Sequence, residues 1–331
     1  MNHQPSVLIT RGTGFIGSHL CEEFIKKEFK VICVDNLITG QKKNIQHLLD
    51  NPNFQFINAD VSKYSTIKKL SSIINHQSLV INYILHFASP AGPNPNSPKS
   101  YIQYPVKTYL VNSIGTHYLL ELARKNKAEF IFASTSEVYG DPKQHPQKET
   151  YFGNVNPIGP RSCYDESKRF GEMAVATFSK KYKLKAKIIR IFNTYGPKMN
   201  PDDGRAIPQF ILQALNNKPI TIYGRGEQTR SFCFIDDLIK GIILIINKAN
   251  AGEVFNLGSN KEIQIITLAK MIKKLTNSSS RLEFKPLPTD DPKKRKPDLE
   301  KIKKAVNWKP EILIGQGLQK TIKYFINYYI L

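Results

Sequence analysis

Between Ser6 and Asn193 the chain alternates two hydrophobic rhythms. "SVLIT", "KVICVD", "FQFIN", "VINYILHFA", "EFIFAST" and "KAKIIRIFN" are short, almost continuous apolar runs. Runs of this kind predict strands buried on both faces of a sheet. Between them lie "SHLCEEFIKKE", "YSTIKKLSSII", "TYLVNSIGTHYLLELARKN" and "YDESKRFGEMAVATFSKKY", whose apolar residues recur with the helical period. Strands alternating with helices predict an α/β fold built on a doubly wound parallel sheet. Beyond Asn193 the pattern loosens and Pro and Gly become frequent, which predicts a smaller α/β lobe. The expected division is a sheet domain over residues 1–193 with a crossing segment at about 234–258, and a lobe built from 194–233 and 259–331. There is no internal repeat and no low-complexity linker.

The first strand runs into Gly12-Thr13-Gly14-Phe15-Ile16-Gly17, a G-x-G-x-x-G turn that opens a helix. Glycines let the backbone approach a pyrophosphate, and the helix N-terminus offers amide donors and the positive end of its dipole. The second strand ends in Asp35. A carboxylate there accepts bonds from adenosine ribose hydroxyls and repels a 2′-phosphate, which favours NAD over NADP. The turn and the acid together predict a Rossmann-type dinucleotide site.

Tyr164 and Lys168 in "CYDESK" are four residues apart and share one helix face. An ammonium beside a phenol favours the phenolate, so the pair suits a tyrosine acting as general base. Thr135, at the end of the "ASTSEVYG" strand, carries a hydroxyl able to join the proton relay.

Composition changes this picture little. The 331 residues carry a formal net charge of +21, which suits an anionic partner. The lysines are dispersed, though, and the one dense run, "DPKKRKPD", is flanked by acids, so nucleic-acid binding is not expected. Lys, Asn and Ile are abundant, a set with AT-rich codons. No run reaches the apolar length of a membrane span, and "MNHQPSVLIT" lacks the features of a signal peptide. Cys21, Cys33, Cys163 and Cys233 are scattered, with no metal-ligand spacing; reduced thiols, a cytoplasmic setting and no bound metal are expected.

Nearly the whole chain, from about Val7 to Phe325, resembles the extended short-chain dehydrogenase/reductases that act on nucleotide sugars. Within them it most resembles the family of UDP-glucuronate decarboxylases, or UDP-xylose synthases. The resemblance rests on "LHFASPA", "ASTSEVYGDPKQHPQKETYFGNVNPIGPRSCYDESKR", "RIFNTYGPKM", "DDGRAIPQFILQAL", "YGRGEQTRSFCFIDDL" and "LPTDDPKKRKPD". It implies NAD-dependent decarboxylation of UDP-glucuronate to UDP-xylose through a 4-keto intermediate, with NAD recycled in the site. In that scheme Thr135, Glu137, Tyr164 and Lys168 are catalytic. Gly12, Gly14, Phe15, Ile16, Gly17, Asp35, Asn36, Asp60, Val61 and Ala88 hold the cofactor together with Tyr164 and Lys168. Arg161, Asn193, Arg205, Tyr223, Arg230 and Arg295 hold the substrate. Ser136 stands where dehydratases carry an aspartate, which argues against water elimination. A homodimer through a four-helix bundle is also implied. The alternatives are a nucleotide-sugar epimerase or 4,6-dehydratase, and a non-catalytic nucleotide- or RNA-binding homologue.

Two departures from the family pattern stand out. The segment "GPNPNSPKSYIQY", around residues 92–104, is longer by about five residues. Arg11 replaces a glycine in the phosphate turn. Strain for a side chain in such a position is roughly 1–3 kcal/mol, while a charge-assisted bond to pyrophosphate returns roughly 1.5–3 kcal/mol. The tight approach of backbone to cofactor decides between them, and Arg11 is expected to weaken NAD binding and stability relative to glycine.

Overall fold

The computed structural model describes residues 4–287 and 294–330, so part of the basic run Asp291–Asp298 lies outside the described residues. In chain order the first half contains β1 (Ser6–Thr10), α1 (Phe15–Lys26), β2 (Lys30–Asp35), β3 (Phe54–Asn58), α2 (Tyr64–His76), β4 (Ile81–His86), α3 (Pro105–Leu110), α4 (Thr116–Asn126), β5 (Glu129–Thr135), α5 (Ser162–Tyr182) and β6 (Ala186–Ile191). The sheet order is β3-β2-β1-β4-β5-β6, and a seventh strand, Val254–Leu257, pairs with β6. All these pairings are parallel. The strand order reverses between β1 and β4, the switch point at which doubly wound sheets bind ligands beyond their carboxyl ends.

The continuous apolar runs have a direct explanation. Val7, Ile9, Val31, Cys33, Ile131 and Ile189 belong to the core under α1 and the second lobe. Leu8, Ile32, Val34, Phe130, Phe132 and Ile188 belong to the core under α2, α4 and α5. Successive strand residues point to opposite faces, and helices cover both, so neither face of these strands can be polar.

Helix α5 carries Tyr164 and Lys168, and its distance from the sheet is set at Gly171. A Cβ there would fall on the ring of Phe132 in β5. α3 and α4 are joined by a π-type turn, Val111–Gly115, making one continuous helical run over 105–126. Such turns widen a helix locally and occur often at functional sites.

Beyond β6 the chain forms helices Ala206–Leu215 and Ile265–Leu275, the parallel pair Ile220–Tyr223 with Leu282–Lys285, and a three-stranded sheet. In that sheet Thr229–Ser231 lies between Glu262–Gln264 and Lys294–Arg295. The helix Ile235–Lys248 and the seventh strand return to the main sheet, so the second half of the chain contributes to both layers. Trp308, 1% exposed, donates to the Asp237 carbonyl at 3.0 Å and ties the C-terminal segment to that helix.

Widening Gly171 to Val should push α5 off β5. Overpacking of this kind costs about 1–3 kcal/mol. The Gly171→Val protein is expected to unfold at lower urea concentration with an unchanged m-value; an unaltered midpoint would show that α5 has room to spare.

Candidate active site

A cavity of about 640 Å³ opens at the carboxyl ends of the strands and is walled by both halves of the chain. From the first half it takes Gly14, Phe15, Ile16 and Gly17 of the α1 turn, Thr135 at the end of β5 and Glu137 just after it, and Arg161, Tyr164 and Lys168 around the start of α5. Tyr164 and Thr135 hydrogen-bond through their side chains. Burial pushes the Tyr164 phenol up to about 12, against the lowering effect of the Thr135 bond and of the Arg11 charge. Lys168 donates to the Ala133 carbonyl at 2.7 Å and lies 4.9 Å from the Phe132 ring centroid. Burial, helped by Arg11, brings its ammonium down to about 7. The lysine is therefore anchored to β5 and easily neutralised, and the phenolate leans first on Thr135 and Arg11.

Glu137 is the charged hub of the site. It accepts bonds from both Arg161 and Arg295. Burial works against its ionised form, but the two guanidinium groups outweigh that and hold the carboxyl down at about 2. Arg295 also donates to the Gly140 carbonyl at 3.2 Å and is 3% exposed. It sits behind Glu137 and outside the cavity wall, whereas its strand neighbour Arg230 lines the cavity. Asn193, Arg205 and Tyr223 also line it, with Arg205 over the Phe15 ring.

A second, smaller pocket lies beside the first. Asp35, Asn36, Asp60, Val61 and Ala88 all line it. Asp35 braces the phosphate turn: its carboxylate accepts from the Thr13 amide at 3.1 Å, from the Thr13 hydroxyl, and from the Leu37 amide at 2.9 Å. Asp60 accepts from the Ser62 amide and hydroxyl at 2.9 and 2.7 Å. Gly12 lines neither pocket. A Cβ there would strike the Cys33 and Cys21 sulfurs, and one at Gly17 would fall on the Arg11 carbonyl. Gly12 thus serves the packing of the turn on β2 and α1, and Gly17 the packing of α1 on the turn, while Gly14 and Gly17 both border the cavity.

The arrangement fits a dinucleotide. The first-turn amides of α1 have no partners within the helix, and Gly14, its N-cap, supplies no side chain to cap them. The small pocket with two acids suits the adenosine end, and the Tyr164–Lys168 face suits the nicotinamide end. NAD bound there would be held by the α1 turn, Asp35 and Lys168.

Several site residues carried no signal along the chain. Tyr101, from the long Pro/Asn loop, stacks on Tyr164 with ring centroids 4.8 Å apart and planes 5° apart. Asn112, in the π-type turn, donates to Ser89 at 3.1 Å and to Ser167 at 3.0 Å, tying β4, α3–α4 and α5 together. Asp165, next to the base, is pushed up to about 8 by burial and by the Glu137 charge. Of these, only Asn112 had a possible cue, as a polar residue within an apolar helical stretch. The other two depend on contacts from distant segments.

Residues 8–321 match the family model described as GDP-mannose 4,6 dehydratase. UDP-glucuronic acid decarboxylase 1 of Arabidopsis thaliana is 43% identical over 97% of this chain and 70% of its own length. The protein of the same name from Xenopus tropicalis is 43% identical over 96% of this chain and 72% of its own. Among solved structures, UDP-glucuronic acid 4-epimerase from Bacillus cereus, in complex with UDP-glucuronic acid and NAD, superposes with a TM-score of 0.84 at 30% identity. The match covers 98% of this chain and 100% of that one. With its doubly wound sheet, its paired pockets and its Thr-Tyr-Lys set, the chain belongs to the GDP-mannose 4,6-dehydratase family of extended short-chain dehydrogenase/reductases, and within it to the UDP-glucuronic acid decarboxylases.

Proposed function

We propose that this chain converts UDP-glucuronate to UDP-xylose and carbon dioxide, with NAD regenerated in the site. The observation that carries the reading is one cavity walled by Thr135, Tyr164 and Lys168 on one side and by the arginine-held Glu137 on the other. NAD, when bound, supplies the hydride acceptor and donor. Tyr164 takes the proton of the 4-hydroxyl, and Thr135 donates to the phenolate. The carbon 4 ketone is β to the carboxylate, so carbon dioxide departs with its electron pair delocalised onto the ketone oxygen. Thr135 supports that oxygen, and Tyr164 returns its proton when the alcohol re-forms.

Before the hydride returns, the enolate takes up a proton from water at carbon 5. Glu137, held ionised, works there as a hydrogen-bond acceptor that orients that water and carries no proton of its own at neutral pH. Arg161, on the cavity wall, is a ligand for the sugar carboxylate, since a planar guanidinium fork matches it. Arg230 and Asn193 meet the diphosphate, and Arg205 and Tyr223 the nucleotide end. Arg295 acts by fixing Glu137. Ser136 brings no acid for water elimination.

The α3–α4 run and α5 expose Val106 (53%), Tyr109 (44%), Phe170 (44%) and Met173 (51%). Apolar groups on adjoining helices support a two-fold pairing of these helices in a homodimer. Four free cysteines suit a reducing, cytoplasmic setting. Among the described residues no helix is long and apolar enough to cross a membrane.

Three outcomes follow. Purified protein given NAD and UDP-glucuronate should release carbon dioxide and a UDP-pentose, read by mass spectrometry; turnover of UDP-glucose alone would sink the assignment. Tyr164→Phe should keep fold and NAD binding but lose about 10²–10⁴-fold in rate, and a near-normal rate would move the base elsewhere. Light scattering at micromolar concentration should give twice the 37.7 kDa chain mass, and a monomer would refute the helix pairing.

A further inference from the structure

Arg11 occupies the place in the phosphate turn where the family pattern has glycine. Its backbone lies in the left-handed region, φ +57°, as a glycine's would. Its amide donates to the Val34 carbonyl at 2.7 Å, and its own carbonyl accepts from Gly14 at 3.0 Å, so the turn is held from both sides. The side chain is thus fixed in direction. It runs over Gly14, where an added Cβ would meet Arg11 Cγ at 3.0 Å, and its Nη1 donates to the Ser89 carbonyl after β4.

That contact spans the switch point. Arg11 and Ser89 are the residues shared by the walls of the large cavity and the small pocket. The cofactor reading places nicotinamide in the first and adenosine in the second, so the linking pyrophosphate must pass where Arg11 meets Ser89. The charge is also felt at Tyr164 and Lys168, which places the guanidinium toward the catalytic side of the turn.

We propose that Arg11 is a latch on the dinucleotide cleft, whose bond to the Ser89 carbonyl closes the passage between the two pockets and must break before NAD can bind. The inference rests on the NAD assignment above. The acceptor is a backbone carbonyl in the bend after β4, a segment held by bonds from the Phe87 and Ala88 amides to the Thr10 hydroxyl and from Asn112 to the Ser89 hydroxyl. The arginine stem, by contrast, has several rotatable bonds, so the latch opens by side-chain rotation. The glycine turn itself stays in place, held by Asp35 through Thr13.

The test is stopped-flow binding of NADH, read by its fluorescence, to three proteins: wild type, Arg11→Gly and Arg11→Met. Methionine keeps an unbranched stem but has no donor. For wild type the observed rate should level off with rising NADH, limited by latch opening. Both variants should bind with rates linear in NADH and at least about tenfold faster at the highest concentration. Linear wild-type kinetics at the variants' rate would overturn the latch. A slow Met variant beside a fast Gly variant would overturn the bonded latch in favour of bulk alone. Slower or weaker binding by both variants would make Arg11 a pyrophosphate ligand and end the proposal. Should none of the three bind NADH, while circular dichroism shows all folded, the cofactor assignment falls and the latch with it.

Discussion

One partly buried carboxylate, Glu137, holds the two halves of the molecule in working register. Glu137 follows β5, and its partners come from the loop ahead of α5 and from the second lobe, Arg161 and Arg295 respectively. Removing either guanidinium would leave a largely desolvated charge under-compensated, a costly case for an ion cluster. The same cluster joins strand Lys294–Arg295, and through it Thr229–Ser231 with Arg230, to the end of β5. The wall that faces the substrate is thus bolted to the wall that carries the base.

The catalytic side depends on how closely α5 approaches the sheet. Gly171 admits the Phe132 ring, and that closeness brings Lys168 onto the Ala133 carbonyl and Tyr164 onto Thr135. Asn112 adds a second tie, from the π-type turn to Ser167 on α5 and to Ser89 after β4. Burial is the common cost of this arrangement. It lifts the Tyr164 phenol and lowers the Lys168 ammonium, so neither group matches its ordinary state without nearby charge. Positive charge beside the phenol therefore matters to its acidity, and Arg11 contributes some of it.

Arg11 also shows how a turn tolerates a residue that the pattern forbids. The position requires a left-handed backbone, which costs an L side chain energy and a glycine none. The chain keeps Gly12 and Gly17, where a Cβ would strike the cysteine sulfurs or the turn's own carbonyl. It gives up glycine only at position 11, where the side chain can run along the cleft to Ser89.

The sheet was readable in the linear pattern almost residue by residue. "SVLIT", "KVICVD", "FQFIN" and "EFIFAST" coincide with β1, β2, β3 and β5. The α1 helix begins three residues earlier than its periodic run, at Phe15, because the glycine turn leads straight into it. The chemistry of the G-x-G-x-x-G turn and of Tyr164 with Lys168 was likewise local, since short spacing on one element decides which side chains share a face. What the chain order could not reveal is which distant segments meet. The Glu137–Arg295 pair is 158 residues apart in sequence, Tyr101 reaches Tyr164 from a Pro/Asn loop, and Arg295 stands behind Glu137 when its motif alone placed it against substrate. Periodicity and spacing carry information over a turn or a strand; burial, the direction of a guanidinium and the pairing of charges are set only when the sheet brings remote strand ends to one edge.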